Sequence, residues 1–189
     1  PTGSYRQAEA ALHEHRFVVL VGPPASGKST IAANLCVVCA AQDPDVRVLR
    51  VESADGFKGT WSPADPKTVY WVDDVFGETT LDADRLKEWS VALDKVEAAR
   101  RRGARIVFCT RDYILADAGS RLKRAKLDMV HDARVRVDVA NLTLDERAAI
   151  LYNHIKMGDL PTQLKTRLKP HLDAVAKMPA LTPEIARRL

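Results

Sequence analysis

Cysteine is scarce and odd in number: Cys36, Cys39 and Cys109 are the three in 189 residues. That excludes a disulfide-stapled secreted fold and leads to the expectation of a reducing, cytoplasmic setting. Aromatic residues make up only 6%, too few for a platform on which nucleic-acid bases stack. No apolar run approaches the roughly 18 residues that a membrane-spanning helix needs. Neither sign of charge dominates. Lys and Arg number 29 against 25 Asp and Glu, a formal +4, which by itself calls for no nucleic-acid partner. Internal repeats and low-complexity stretches are missing too, and no secretory leader is read ahead of the first helix. Pro1 stands where an initiator methionine would, so the chain is expected to be a piece of a longer one. What is present is 46% hydrophobic and 29% charged residues, the balance of a globular protein. The length suits one domain with a small appendage.

Short β-rich runs alternate with helical ones, which predicts a parallel sheet covered by helices. Ser4-Tyr5-Arg6-Gln7 reads as a capping box opening the first helix. Five strands are expected, at Phe17–Val21, Val46–Val51, Thr68–Val72, Arg105–Cys109 and Arg134–Val139. The first, third and fourth are nearly continuous apolar runs, as in strands buried on both faces. The fifth alternates Val135, Val137 and Val139 with Arg136 and Asp138, as in a half-buried edge strand. Helical periodicity fills 28–41, 82–102 and 113–130, the last through Leu115, Ala118, Leu122, Ala125 and Met129. Gly103 sits at a helix C-cap position. Past Asn141 only helices are expected. Thr143-Leu144-Asp145-Glu146 is a second capping box, Pro161 and Pro170 divide a further helical stretch, and Thr182-Pro183-Glu184 pairs an N-cap with proline at the first helical position. The expected organisation is an α/β core over 1–140 and a small helical lid over 141–189.

Gly22-Pro23-Pro24-Ala25-Ser26-Gly27-Lys28-Ser29 matches G-x-x-x-x-G-K-[ST] without a mismatch. A strand enters it and a helix leaves it. With glycine near 7% of residues, a chance match in a chain this long is on the order of 1%. The chemistry explains the pattern. Glycines let backbone amides turn inward around phosphate oxygens, the helix N-terminus adds partial positive charge, and Lys28 reaches the β and γ phosphates. Ser29 supplies a hydroxyl for Mg²⁺, and Thr30 a donor for the α phosphate. Ala25 stands where many such loops carry another glycine, so its backbone is less free.

Val69-Tyr70-Trp71-Val72 runs into Asp73-Asp74. After a phosphate loop, the first acid at a strand end holds Mg²⁺ through its waters and the second orients or deprotonates the attacking water. A polar strand exit is the competing explanation. One further strand lies between loop and acids in sequence, which suits P-loop ATPases better than small-molecule kinases. The fourth strand leaves through Thr110-Arg111-Asp112, expected beside the phosphate loop. Thr110 is a candidate holder of the lytic water. Arg111 is a candidate γ-phosphate contact, with a surface-turn cap as the alternative.

Together, Gly22–Thr30, Tyr70-Trp71-Val72-Asp73-Asp74-Val75-Phe76-Gly77, Cys109-Thr110-Arg111-Asp112-Tyr113-Ile114-Leu115 and Leu142–His154 resemble the STAND class of signal-transducing ATPases. The group most similar is novel STAND NTPase type three, over nearly the whole chain. The resemblance implies a three-layer P-loop NTPase with sheet order 5-1-4-3-2 and a helical lid. It implies binding of ATP or ADP with Mg²⁺, slow hydrolysis that resets a switch, and homo-oligomerisation that activates a fused effector under a sensor. Bacterial members of this kind look like antiviral defence proteins. By position it implies Lys28, Asp74 and Arg111 as catalytic residues and Ser29 and Asp73 as metal ligands. Gly22, Pro23, Pro24, Ala25, Ser26, Gly27, Lys28, Ser29 and Thr30 form the phosphate cradle. Pro183, in the stretch from Met178-Pro179 to Thr182-Pro183, packs on adenine, and Thr2 lies near the base. Cys109 replaces the more usual Thr or Ser of the sensor triplet.

Weaker signals read as structural. Cys36 and Cys39 have C-x₂-C spacing, but in an apolar helix without a second ligand pair, so packing is favoured over zinc. Arg100-Arg101-Arg102 ends a helix, where basic residues favour the dipole; Lys123, Arg124 and Lys126 read as another solvated face. Two alternatives stay open: a small-molecule kinase, which needs an acceptor pocket, and a DNA-dependent ATPase.

Overall fold

The computed structural model of the chain describes residues 1–121 and 124–188. Helix α1 (Gly3–His15) leads into β1 (Phe17–Val21), α2 (Lys28–Gln42), β2 (Arg47–Val51), α3 (Ala54–Thr60), β3 (Thr68–Val72), α4 (Ala83–Arg101) and β4 (Arg105–Thr110). Then come α5 (Asp112–Arg121), α6 (Arg124–His131), β5 (Arg136–Asp138), α7 (Leu144–Met157), α8 (Thr162–Leu168), a single 3₁₀ turn, α9 (Leu172–Ala176) and α10 (Pro183–Arg188).

The strands form one five-stranded sheet in the order β2-β3-β4-β1-β5, and every pairing in it is parallel. This is the expected 5-1-4-3-2 order. The side-chain alternation of β1 shows why its whole run is apolar. Phe17, Val19 and Val21 enter a core with Phe57, Trp89, Phe108 and Ile114, while Val18 and Leu20 enter a second core with Leu12, Leu35 and Cys36. Helices α1 and α2 cover one face, and α3, α4 and α5 the other. Trp89 packs edge-on to Phe108, with ring centroids 5.1 Å apart. Truncating a ring so placed typically costs about 3–5 kcal/mol. The edge strand β2 is largely exposed, and β5 buries only Val137 of its three residues.

Two local expectations are corrected. The first helix is capped not by Ser4 but by Thr2, whose side chain accepts from the Tyr5 amide; Ser4 is buried inside the helix. The 113–130 stretch is divided between α5 and α6, and the Leu122 and Lys123 expectations lie outside the described residues. Helix α3, capped by Ser53, is too short to leave a periodic signature. The Thr143 capping box is complete, with both reciprocal bonds present.

The C-terminal helices have an apolar cluster of their own: Leu151, Ile155, Ala176, Leu181 and Ala186. No described helix is long and apolar enough to cross a membrane.

Candidate nucleotide site

Strand β1 lies between β4 and β5, so the loop that follows it emerges at the carboxyl edge of the sheet, where open α/β folds bind ligands. The loop turns at Ala25 (φ +62°) and Gly27 (φ +95°). Gly27 tolerates this because it has no Cβ; Ala25 is strained by it. Helix α2 then starts with no side-chain cap and no acid in its first turn. Its amides and dipole are therefore open to an anion. The Ser26 Oγ is buried without a partner. Lys28 is buried, and its Nζ donates to the carbonyls of Gly22 (2.9 Å) and Pro23 (2.7 Å). Burial pushes its ammonium below the ordinary lysine range. An uncapped positive helix end, an orphaned hydroxyl and a cation folded over its own loop fit a phosphate chain.

The acids come from the neighbouring elements. Asp73 follows β3, and its Oδ1 accepts from the Ser29 hydroxyl at 3.1 Å. Its Oδ2 meets Arg50 Nη2 at 3.3 Å. Paired hydroxyl and carboxylate oxygens are the donors a hard divalent cation takes, so these residues fit Mg²⁺. Asp74 sits at φ +46°, a left-handed conformation that aspartate tolerates better than most residues. The turn is secured by Arg85 Nη1, which donates to the Asp74 carbonyl at 3.2 Å. It is also secured by the Val75 amide, which donates to the Cys109 carbonyl at 3.1 Å. Burial, then the Asp73 charge, pushes the Asp74 carboxyl above its usual range; Arg111 and Lys28 pull the other way.

Register places Thr110 opposite Val21, so Arg111 leaves β4 beside Gly22. Arg111 Nη1 donates to the Tyr113 hydroxyl at 2.9 Å, and that hydroxyl donates to the Thr79 carbonyl at 2.9 Å. Thr110 is fully buried. Its hydroxyl faces only the Arg111 carbonyl at 3.5 Å, which does not suit the expected holder of the lytic water.

A cleft of about 780 Å³ runs from Ala25–Ile31 of the loop and α2 to the start of α1 and the inner side of α7 and α10. Thr2, Asn153, His154 and Pro183 line it. A Cβ on Gly27 would lie 3.7 Å from Pro183 Cγ, so the proline rests against the phosphate loop. Gly22, Ser26, Lys28, Ser29 and Thr30 are thus brought together with Thr2 and Pro183, and Asp73, Asp74 and Arg111 border them. Sequence reasoning missed Arg50, which stacks on Trp71 at 5.0 Å, and Arg187, which lines the cleft while paired to Glu184. Arg50 carries no motif; only the β2–β3 register sets it beside Trp71. Cys36 and Cys39 are buried and unbridged, and burial pushes the Cys36 thiol up to about 12. Among the described residues no three metal-ligating side chains cluster.

The family model described as Novel STAND NTPase 3 matches residues 1–157. The chain belongs to that family. No curated protein matches it in sequence. Among solved structures, this STAND NTPase is similar to domain III of the replication initiation protein DnaA from Thermotoga maritima. The TM-score is 0.64 at 17% identity, over 98% of this chain and 78% of that one. The RuvB Holliday junction branch migration motor of Thermotoga maritima gives 0.60 at 15%, over 98% and 58%. AMPPCP-bound DnaA from Aquifex aeolicus gives 0.56 at 14%, over 87% and 53%. The chain therefore spans little more than half of the last two. At these identities the likeness is one of fold.

Proposed function

We propose that this STAND NTPase is the ATP-binding and ATP-hydrolysing switch module of a larger signalling protein, with residues 1–140 as its core and 141–189 as its lid. The observation that carries the reading is the convergence of Lys28, Ser29, Asp73, Asp74 and Arg111 at one sheet edge, with Pro183 laid against the phosphate loop. The adenine nucleotide held by the DnaA neighbour supports the choice of ligand.

Lys28 exchanges its two loop carbonyls for phosphate oxygens, and the α2 amides cradle the chain. Ser29 and Asp73 hold Mg²⁺, which when bound neutralises charge on the phosphates. Asp74, with its raised proton affinity, accepts a proton from the attacking water. The water oxygen bonds to the γ phosphorus as the bond to the β–γ bridging oxygen breaks, leaving ADP and phosphate. Arg111 leaves the Tyr113 hydroxyl to contact the γ phosphate, and loss of that phosphate on hydrolysis returns it to the Tyr113–Thr79 link. Pro183 packs on adenine, with Thr2 near the base. Coupling to homo-oligomerisation, a fused effector and sensor, a cytoplasmic setting and a role in bacterial antiviral defence rests on the family resemblance alone.

Calorimetry with ATP and ADP, alongside phosphate release, tests the reading. The chain is expected to bind both nucleotides and Lys28→Ala neither. Unchanged affinity in that variant overturns the site. For the switch, the longer parent protein should bind ATP and ADP unequally and assemble with only one of them; equal affinity without assembly refutes it.

A further inference from the structure

Among the described residues that line the site, Glu146 is the one that bonds to both walls of the cleft's far end. Within α7 it completes a capping box: its Oε2 accepts from the Thr143 amide at 2.8 Å, and its own amide donates to Thr143 Oγ1 at 3.2 Å. An ordinary capping box leaves the second carboxylate oxygen to water. Here Oε1 accepts from the amide of Gly3, 143 residues away, at 2.5 Å. Gly3 is the first residue of α1, a 13-residue helix with no acid in its first turn. Its dipole is therefore met by a carboxylate borrowed from α7. Those two amide bonds hold the Glu146 carboxyl below its usual range.

The apolar packing gives this bond its weight. The cluster under α7, α9 and α10 holds no residue of the sheet or of α1, so the charge-assisted Glu146–Gly3 bond joins α7 to α1 outside that apolar packing. Pro1, Thr2 and Tyr5 from one side, and Glu146, Ile150 and Asn153 from the other, line the cleft beyond the phosphate loop.

We infer that Glu146 is a positioning residue: by clasping the first amide of α1 and the cap amide of α7 together it sets the width of the base-binding end of the cleft. This rests on the nucleotide reading above. Base and ribose affinity depends on the clasp, and phosphate affinity does not.

The test uses the whole chain, ADP, and inorganic tripolyphosphate as a probe that has phosphates but no base. Glu146→Ala should weaken ADP about tenfold and leave tripolyphosphate within about twofold. Gly3→Pro removes the amide from the other side. Proline is tolerated at a first helical position, and Thr2 already has the extended conformation, φ −70° and ψ 163°, that a residue before proline adopts. It should reproduce the selective loss, and the double variant should lose no more than either single one. Wild-type ADP affinity in both single variants, or equal weakening of ADP and tripolyphosphate, overturns the clasp while leaving the nucleotide site standing. Tripolyphosphate binding that survives Lys28→Ala overturns the nucleotide reading, and this inference with it.

Discussion

The Ser29 hydroxyl lies 3.1 Å from Asp73 Oδ1, across 44 residues of chain. Strand β4 lies between β1, which launches the phosphate loop, and β3, which ends at the acids. The two oxygens meet only because both chain segments exit the same edge of the sheet. Their separation leaves a hard cation little to rearrange.

Removing one of those oxygens should therefore separate metal from nucleotide. Asp73→Asn is expected to keep the ADP affinity measured in EDTA and to lose the gain that Mg²⁺ brings, about tenfold or more. Calorimetric titrations of ADP at several Mg²⁺ concentrations check this. The variant also breaks the Arg50 ion pair, but an exposed pair contributes only about 0–1 kcal/mol.

Asp74 gives a pH signature. Its carboxyl is raised from an ordinary 3.8, chiefly by burial, so the folded state binds its proton more tightly than the unfolded state does. The charged form then opposes folding as pH rises through the raised value. Asp74→Asn should raise the melting temperature at neutral pH, and the gain should vanish as pH falls below the ordinary carboxylate range. A constant gain across pH would contradict the assigned cause. The same variant should stop phosphate release while ATP still binds.

Ala25 and Gly77 are opposite tests of backbone strain. At φ +62°, alanine forfeits about 1–2 kcal/mol, and glycine there returns about 0.5–1 in unfolded-state entropy. Ala25→Gly should therefore stabilise by about 0.5–1 kcal/mol. Gly77 sits at φ +132°, and a Cβ on it would lie 2.1 Å from the Thr80 carbonyl oxygen. Gly77→Ala should destabilise by more than about 2 kcal/mol. Urea unfolding of both variants measures the two signs.

Tyr113 holds Arg111 to the Thr79 carbonyl. Tyr113→Phe removes both bonds without changing the ring, and Tyr113 is exposed, so the fold should lose less than about 1 kcal/mol. Arg111 is then free before nucleotide arrives. Phosphate release in single turnover should change by several-fold with ADP affinity held; no change would make the link structural.

The strands were legible because β1, β3 and β4 are buried on both faces, so their apolar runs are continuous. The phosphate loop and the acids were legible because their chemistry needs particular residues at particular spacings. Thr2 was missed as a cap because Ser4 and Gln7 copy the capping-box pattern two residues further on. Helix α3, at seven residues, falls below the length at which period 3.6 shows.

The amino-acid order alone thus determined which segments are strands and helices, where a G-x-x-x-x-G-K-S loop joins a strand to a helix, and which acids stand nearby. Those are local properties, set by periodicity and by side-chain chemistry over a few residues. Tertiary structure decided the rest. It turned Arg50 onto Asp73 and Trp71, buried Thr110 beside Val21, and laid Pro183 on Gly27. It also gave the second oxygen of Glu146 to Gly3. Each of these joins segments far apart in the chain, and only the parallel register and the packing of helices on the sheet bring such segments within hydrogen-bond reach.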